Sequence, residues 1–267
     1  YVYAFIYVGI FEYSSPISGY LRDFGITLPS IKNLFGASII LSMALFPYIY
    51  LLLRVKLASV GLDLFRAAKS LGNNNTASIL KVIIPSLFPV VVAGMTLVIF
   101  ETIADFGGVS TLRIETFTVG IYNAWFGYQS YFSAARLAGY LLMFVFVIIF
   151  IARFYESKQS NLAQKTSEVF DGIELVHYKS FLATLYCSVI FTIVFLIPLA
   201  QLLIWSFAEK NLLSIDNIYL FLNSFILGVI VSVITVFFGI TLALAYRNEK
   251  KLRLIISLTT SGYAIPG

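Results

Sequence analysis

The stretch FRAAKSLGNNNTASILKVIIPSLFPVVVAGMTLVIF, residues 65–100, changes character halfway. Its first part is polar and holds two adjacent alanines, a glycine and three asparagines. Its second part, Val82 to Phe100, runs 19 residues without a charge. Roughly 20 apolar residues in a helix cross the hydrocarbon of a bilayer. A helix does so because it pairs its own backbone groups where no water can. The stretch therefore reads as a polar turn feeding directly into a membrane span.

The same pattern recurs along the chain. Gly36 to Leu53 gives 18 uncharged residues, Lys179 to Glu209 encloses 29, and Asp216 to Arg247 encloses 30. A soluble helix shows one apolar face, whereas these runs are apolar all round. Only 12% of the 267 residues are charged, against about a quarter in soluble domains, and 60% are hydrophobic. No ten-residue alternating strands of a membrane barrel occur. The expected class is all-α, a polytopic helical membrane protein of six to seven spans. We place them near 1–13, 36–53, 83–104, 137–152, 181–206 and 220–246, with a last one starting near 254. The first is already under way at Tyr1 and the last reaches Gly267, so the chain reads as a fragment of a longer protein.

Sidedness follows from Lys and Arg, which gather on the cytoplasmic side. With the 65–85 loop inside, the cytoplasmic segments hold 13 of the 18 basic residues. Arg22, Lys32, Arg113, Arg136 and Lys210 remain outside. This asymmetry accounts for the net charge of +5 without nucleic acid. The polar segment 156–179 divides the chain into residues 1–155 and residues 180–267. Cys187 is mid-span and alone, so it reads as a packing residue. His177 lies in the linker with no metal-ligand or catalytic companions.

Around the opening stretch, residues 54–72 have helical spacing, with Leu57, Val60, Leu64, Ala68 and Leu71 on one face. Gly72 permits a left-handed end. Thr76 is placed to cap a short helix over 77–84, and Pro85 and Pro89 mark entry into the next span. Ala67 and Ala68 let another surface approach closely, so the elbow reads as a docking surface. Asn74-Asn75-Thr76 has the form of a glycosylation acceptor, which a cytoplasmic position makes irrelevant.

This loop resembles the cytoplasmic signature of the inner-membrane subunits of ABC importers: Glu-Ala-Ala, three residues, Gly, nine residues, Ile-x-Leu-Pro. Ala67, Ala68, Gly72 and Pro85 match at the right spacing, Val82 and Ile84 are aliphatic replacements, and Arg66 departs from the Glu. The resemblance implies a type I ABC importer permease fold, in which Arg66, Ala67, Ala68, Gly72, Val82, Ile84 and Pro85 belong to a coupling loop seated in an ATPase dimer. AFIYVGIFEY, FPYIYLLLR, ETIADFGGVSTLRIETFTVGIYNAWFG and SGYAIPG resemble the ferric-iron permeases, in which two homologous halves are fused. Residues 1–155 would be most of a first half and residues 180–267 the opening of a second. The implied partners are a separate cytoplasmic ATPase, an extracytoplasmic substrate-binding protein, the other permease half and membrane lipid, in the bacterial inner membrane. No phosphate-binding G-x-x-x-x-G-K-[ST] occurs in this chain, so ATP would be bound by the partner subunit and the chain is not expected to be an enzyme.

Glu101 and Asp105, at i and i+4 near the outer end of the 83–104 span, are expected to share a helix face. Acids near a membrane are costly and face a cavity or a partner. Oxygen ligands suit a hard cation such as ferric iron. One reading lines the outer mouth of a pathway with them; the other has them cap helices or pair with Arg113 or Arg136. Tyr122, Trp125, Tyr128 and Tyr131 read as an interfacial aromatic belt, and residues 116–135 as a surface segment. Gly94 and Gly239 allow close helix approach. The same mechanism would serve thiamine, an organophosphonate, a polyamine or an oxyanion such as sulfate. An ion-gradient-driven secondary transporter, with spans interrupted at Pro47 and Pro198, is the rival of another class.

Overall fold

The structure, a computed structural model, describes residues 1–157, 178–208 and 215–248. Helix α1 (Val2–Phe11) is followed by a turn and α2 (Pro16–Asp23). Ser15 caps α2 by accepting from the Ser18 N–H at 3.0 Å, and Pro16 stands where a missing N–H costs nothing. An irregular return leads to α3 (Leu34–Ser70), capped by the Asn33 side chain on the Gly36 N–H at 2.8 Å. Then come α4 (Asn75–Ala104), α5 (Gly107–Thr111), α6 (Phe117–Tyr122) and α7 (Tyr131–Ser157). Beyond the linker lie α8 (Tyr178–Ala208) and α9 (Ile215–Asn248). No strand occurs among the described residues.

Five helical segments are long and apolar enough to cross a membrane: Leu34–Ala58, Asn75–Ala104, Tyr131–Ile151, Tyr178–Ala208 and Ile215–Arg247. The expected all-α, multi-span architecture is therefore present. Of the other expected spans, α1 is ten residues long, shorter than a full crossing needs. The span near 254, the closing SGYAIPG, His177 and most of the linker lie outside the described residues. The span expected from 137 begins earlier, because Tyr131 and Phe132 already belong to its helix.

The described residues fall into two compact units, residues 1–195 and residues 196–248. In the first, the core draws on α1 (Ala4, Ile6, Ile10), α3 (Ala37, Ile40), α5 and its end (Val109, Leu112) and α7 (Leu141, Val145). Helices α3 and α4 run against one another. Gly94 is buried there, and a Cβ on it would stand 3.1 Å from Ile49 Cγ1, so the close approach expected of Gly94 is real. Gly239 differs: a Cβ there would meet nothing within 4 Å. In the second unit, α9 is exposed around its circumference, as at Phe221, Leu222, Val229, Ile230 and Val231. Water would not tolerate that surface; lipid is its natural solvent.

Two π turns sit beside prolines. In the turn Ile79–Ile83 the Ile84 N–H reaches back five residues to the Ile79 carbonyl, just before Pro85. Such widening accommodates a residue that has no N–H and whose ring crowds the preceding turn. A second, Thr192–Leu196, precedes Pro198. Pro198 cannot donate to Val194, whose carbonyl instead accepts from the Tyr3 hydroxyl, while the Ile193 carbonyl accepts from Tyr7. Tyr3 and Tyr7 are one turn apart on α1, their rings 6.4 Å apart. In hydrocarbon an unpaired carbonyl is costly, and these two phenols remove that cost. Pro47 lies inside α3 without ending it.

Candidate functional site

The elbow between α3 and α4 closes in two steps. Gly72 takes φ +86, open to glycine at no steric cost. Its N–H donates to the Lys69 carbonyl at 2.9 Å, and the Asn73 N–H donates to the Ala68 carbonyl at 3.2 Å. This paired closure satisfies the last carbonyls of α3. The Asn73 side-chain amide donates to the same Ala68 carbonyl at 3.2 Å. Asn74 is extended, and its Oδ1 accepts from the Ala77 N–H at 2.7 Å. The cap is thus Asn74, not the expected Thr76, and the helix starts at Asn75 rather than 77. The reason is spacing: after the glycine closure consumes Asn73, Asn74 is the next residue in extended conformation, and asparagine is a strong capping residue. The helix also continues unbroken into the span instead of stopping at 84.

Burial at the elbow is selective. Ala68 is 2% exposed and Ser78 fully buried, its hydroxyl donating to the Asn74 carbonyl at 2.9 Å. Arg66, Ala67, Lys69, Gly72, Asn74 and Thr76 face outward. Leu71, expected on the packed face with Ala68, is 83% exposed, because the helix has already begun its closing turn there. Val82 is half-buried; Ile84 and Pro85 are exposed. Val60 lies in a stretch whose side chains are not described. The structure therefore brings Arg66, Ala67, Ala68 and Gly72 to one helix end, and sets Val82, Ile84 and Pro85 along the start of the next.

At the opposite end of α4 the acids part company. The helix stops at Ala104, and Asp105 is extended at ψ 119. It does not share a helix face with Glu101. Its carboxylate accepts from the Gly108 and Val109 N–H groups, each at 3.1 Å, and so caps α5. Thr118 donates to the Asp105 carbonyl at 3.0 Å. Neither Arg113 nor Arg136 is what this carboxylate meets. Glycine at 108 leaves room for this cap: a Cβ there would collide with the Asp105 carboxylate and displace it. Gly107 packs on Tyr1, whose ring a Cβ would approach to 2.7 Å. Glu101 is half-buried, and the neighbouring cavity of about 250 Å³ between α3 and α4 is lined by Thr102 instead.

The segment 116–135, expected along the surface, is helical over residues 117–127 and again from Tyr131. Thr116 caps α6, and a π turn, Asn123–Gly127, leads toward α7. The expected aromatic belt is exposed, with Tyr122, Trp125, Tyr128 and Tyr131 between 47% and 81%. It is linked by ring contacts of 4.7 Å (Phe106–Tyr122) and 5.1 Å (Trp125–Tyr131). Among the described residues no group of three or more His, Cys, Asp or Glu side chains is placed to hold a metal ion. Of the two readings of Asp105, the capping one is what the structure shows, whereas the two tyrosines of α1 were missed in the sequence. Asp105-Phe106-Gly107-Gly108 carried a signal for the cap, an acid followed by two helix-weakening glycines.

With this geometry in hand, the chain can be compared with known proteins. Residues 2–166 match the family described as binding-protein-dependent transport system inner membrane component. The Fe(3+)-transport system permease protein FbpB 2 of Haemophilus influenzae is 25% identical over 227 residues, covering 82% of this chain and 45% of that protein. The probable sulfate transport system permease protein cysT of Prototheca wickerhamii is 31% identical over 130 residues, 46% of this chain and 51% of that protein. The chain spans about half the length of the curated relatives it matches. No solved structure matches it significantly.

Proposed function

The chain belongs to the family of inner-membrane components of binding-protein-dependent transport systems, and from that premise we propose that it spans the membrane in an ATP-driven importer of ferric iron. In this reading it is a multi-pass inner-membrane transport permease with the family's type I fold, and the ATPase is a separate subunit that engages the elbow at 66–85. An extracytoplasmic binding protein delivers the cargo, and a second permease half completes the pathway.

The observation that carries the coupling role is the elbow itself. Its bends are satisfied by backbone and asparagine groups, so the outward side chains of Arg66 and Ala67 are left for a partner. On one side stands a 37-residue helix and on the other a 30-residue one. At about 1.5 Å per residue each is long enough to carry displacement from the elbow across a bilayer. ATP-driven closure of the partner would press on the elbow, tilt α3 and α4 together, and open the cavity outward; hydrolysis would reset it.

Iron is favoured by the relative that aligns along most of this chain. A second reading, an oxyanion cargo, is favoured by the sulfate permease similar over 130 residues of this chain. In either case Glu101 remains a candidate for the outer mouth of the pathway, and Asp105 reaches it only as the cap that shapes that mouth. The test uses the intact transporter, with its ATPase and binding protein, in proteoliposomes. ATP-dependent uptake of labelled ferric iron, with none of labelled sulfate, supports iron. The reverse pattern replaces iron by an oxyanion while keeping the coupling mechanism. Uptake that needs no ATP, driven by an ion gradient, overturns the importer reading.

A further inference from the structure

A pocket of about 320 Å³ lies where the end of α1, helix α2 and the return to α3 meet. It is lined by Glu12, Tyr13, Ser18, Arg22, Ser30 and Lys32, among others. Its charges are not balanced. The Lys32 ammonium donates to the Glu12 carboxylate at 2.7 Å, which pairs these two charges. Arg22 is a second cation, set in the last turn of α2 with its guanidinium carbon 3.7 Å from the centre of the Tyr13 ring. Its Nη1 is buried and has no hydrogen-bond partner. A guanidinium carries five fixed donors and no acceptor, and it stays charged at any pH a protein tolerates. Stacking on a phenol serves its face but not its N–H edge. The ring face and the donor edge together are the arrangement that holds a planar or tetrahedral oxyanion by paired N–H groups. Arg113 lies near enough to add to the positive field at Glu12.

We propose that this pocket binds an oxyanion group of sulfate or phosphate type, held by the Arg22 guanidinium with Lys32 beside it, on the extracytoplasmic side of the membrane. Two sources present that chemistry there: a free ion and the phosphate of an anionic lipid headgroup. The site does not depend on which cargo the transporter carries.

The test is equilibrium binding of labelled sulfate to the intact transporter in a phosphate-free maltoside detergent. A parallel arm measures binding of phosphatidylglycerol. Arg22→Gln should weaken binding at least ten-fold, and Arg22→Lys, which keeps the charge and loses the fork, should weaken it less. Arg136→Gln, at an exposed position outside the pocket, should leave it unchanged. Thermal unfolding of each variant reports whether it is folded. Sulfate bound in an Arg22-dependent way supports the site with a free ion as its source. Lipid bound in an Arg22-dependent way, without sulfate, supports it with the headgroup as its source. If folded Arg22→Gln binds both as the native protein does, or the native protein binds neither, the proposal is overturned.

Discussion

Helix α4 is bounded by two breaks that solve the same problem differently. At its start, the elbow closes with Gly72, Asn73 and Asn74, none of them charged, and leaves small and polar side chains facing outward. At its end, the turn closes with the Asp105 carboxylate on two N–H groups and folds inward, burying Gly108, Val109, Leu112, Thr118 and Val119. One break is finished without using its surface; the other uses its most conspicuous charge to finish itself. An acid near a membrane therefore need not be a cargo ligand, and a polar loop beneath one need not be slack.

The comparison can be broken most forcefully at Gly72. Gly72→Pro removes both the φ +86 conformation and the N–H given to Lys69. Transport by the intact importer should fall at least ten-fold, measured as ATP-dependent uptake. At the other break, Gly108→Ala drives a methyl into the Asp105 carboxylate, and overpacking of this kind costs about 1–3 kcal/mol. Thermal unfolding in detergent should show a clear drop, larger than for Gly127→Ala, where a Cβ meets nothing within 4 Å.

Smaller effects sharpen the contrast. Asp105→Ala strips the cap from α5 and should cost about 1–2 kcal/mol, whereas Asp105→Asn keeps an acceptor and should cost less. If transport is lost in Asp105→Asn while thermal stability is kept, the carboxylate has a role beyond capping. Asn74→Ala should cost about 1 kcal/mol. Thr76→Ala, at an exposed position, should stay within about 0.5 kcal/mol. The smallest effect concerns Glu12. The hydrogen bond and charge of Lys32 hold its carboxyl below the ordinary range. Its stabilising contribution is then present above the unfolded carboxylate pKa and is lost as pH falls through the lower folded value. The unfolding temperature of Glu12→Gln should differ slightly from the native protein near neutral pH, and that difference should vanish in acid.

Much of this was legible beforehand, for physical reasons. Uncharged runs of 19 to 30 residues leave little choice of fold class in a chain this apolar. Gly72 was legible because only glycine enters the left-handed region freely. Thr76 misled because a cap is set by where the chain leaves the previous helix, and that depends on Asn73 being drawn back to Ala68. The spacing of Glu101 and Asp105 misled because a period of four means a shared face only while the helix lasts. The tyrosines of α1 gave no local sign, since their partners lie 186 and 191 residues away. Pro198 hinted only that some carbonyl before it would need a donor.

The central claim is that the outward face of the elbow receives the ATPase. Ala67 is exposed, so Ala67→Trp adds bulk to that face without touching the closing hydrogen bonds. The decisive measurement is ATP hydrolysis by the reconstituted importer, with and without cargo-loaded binding protein, in native and Ala67→Trp forms of equal unfolding temperature. The account predicts that stimulation by the loaded binding protein falls to the unstimulated level in the variant. Full stimulation in a folded Ala67→Trp importer would contradict it.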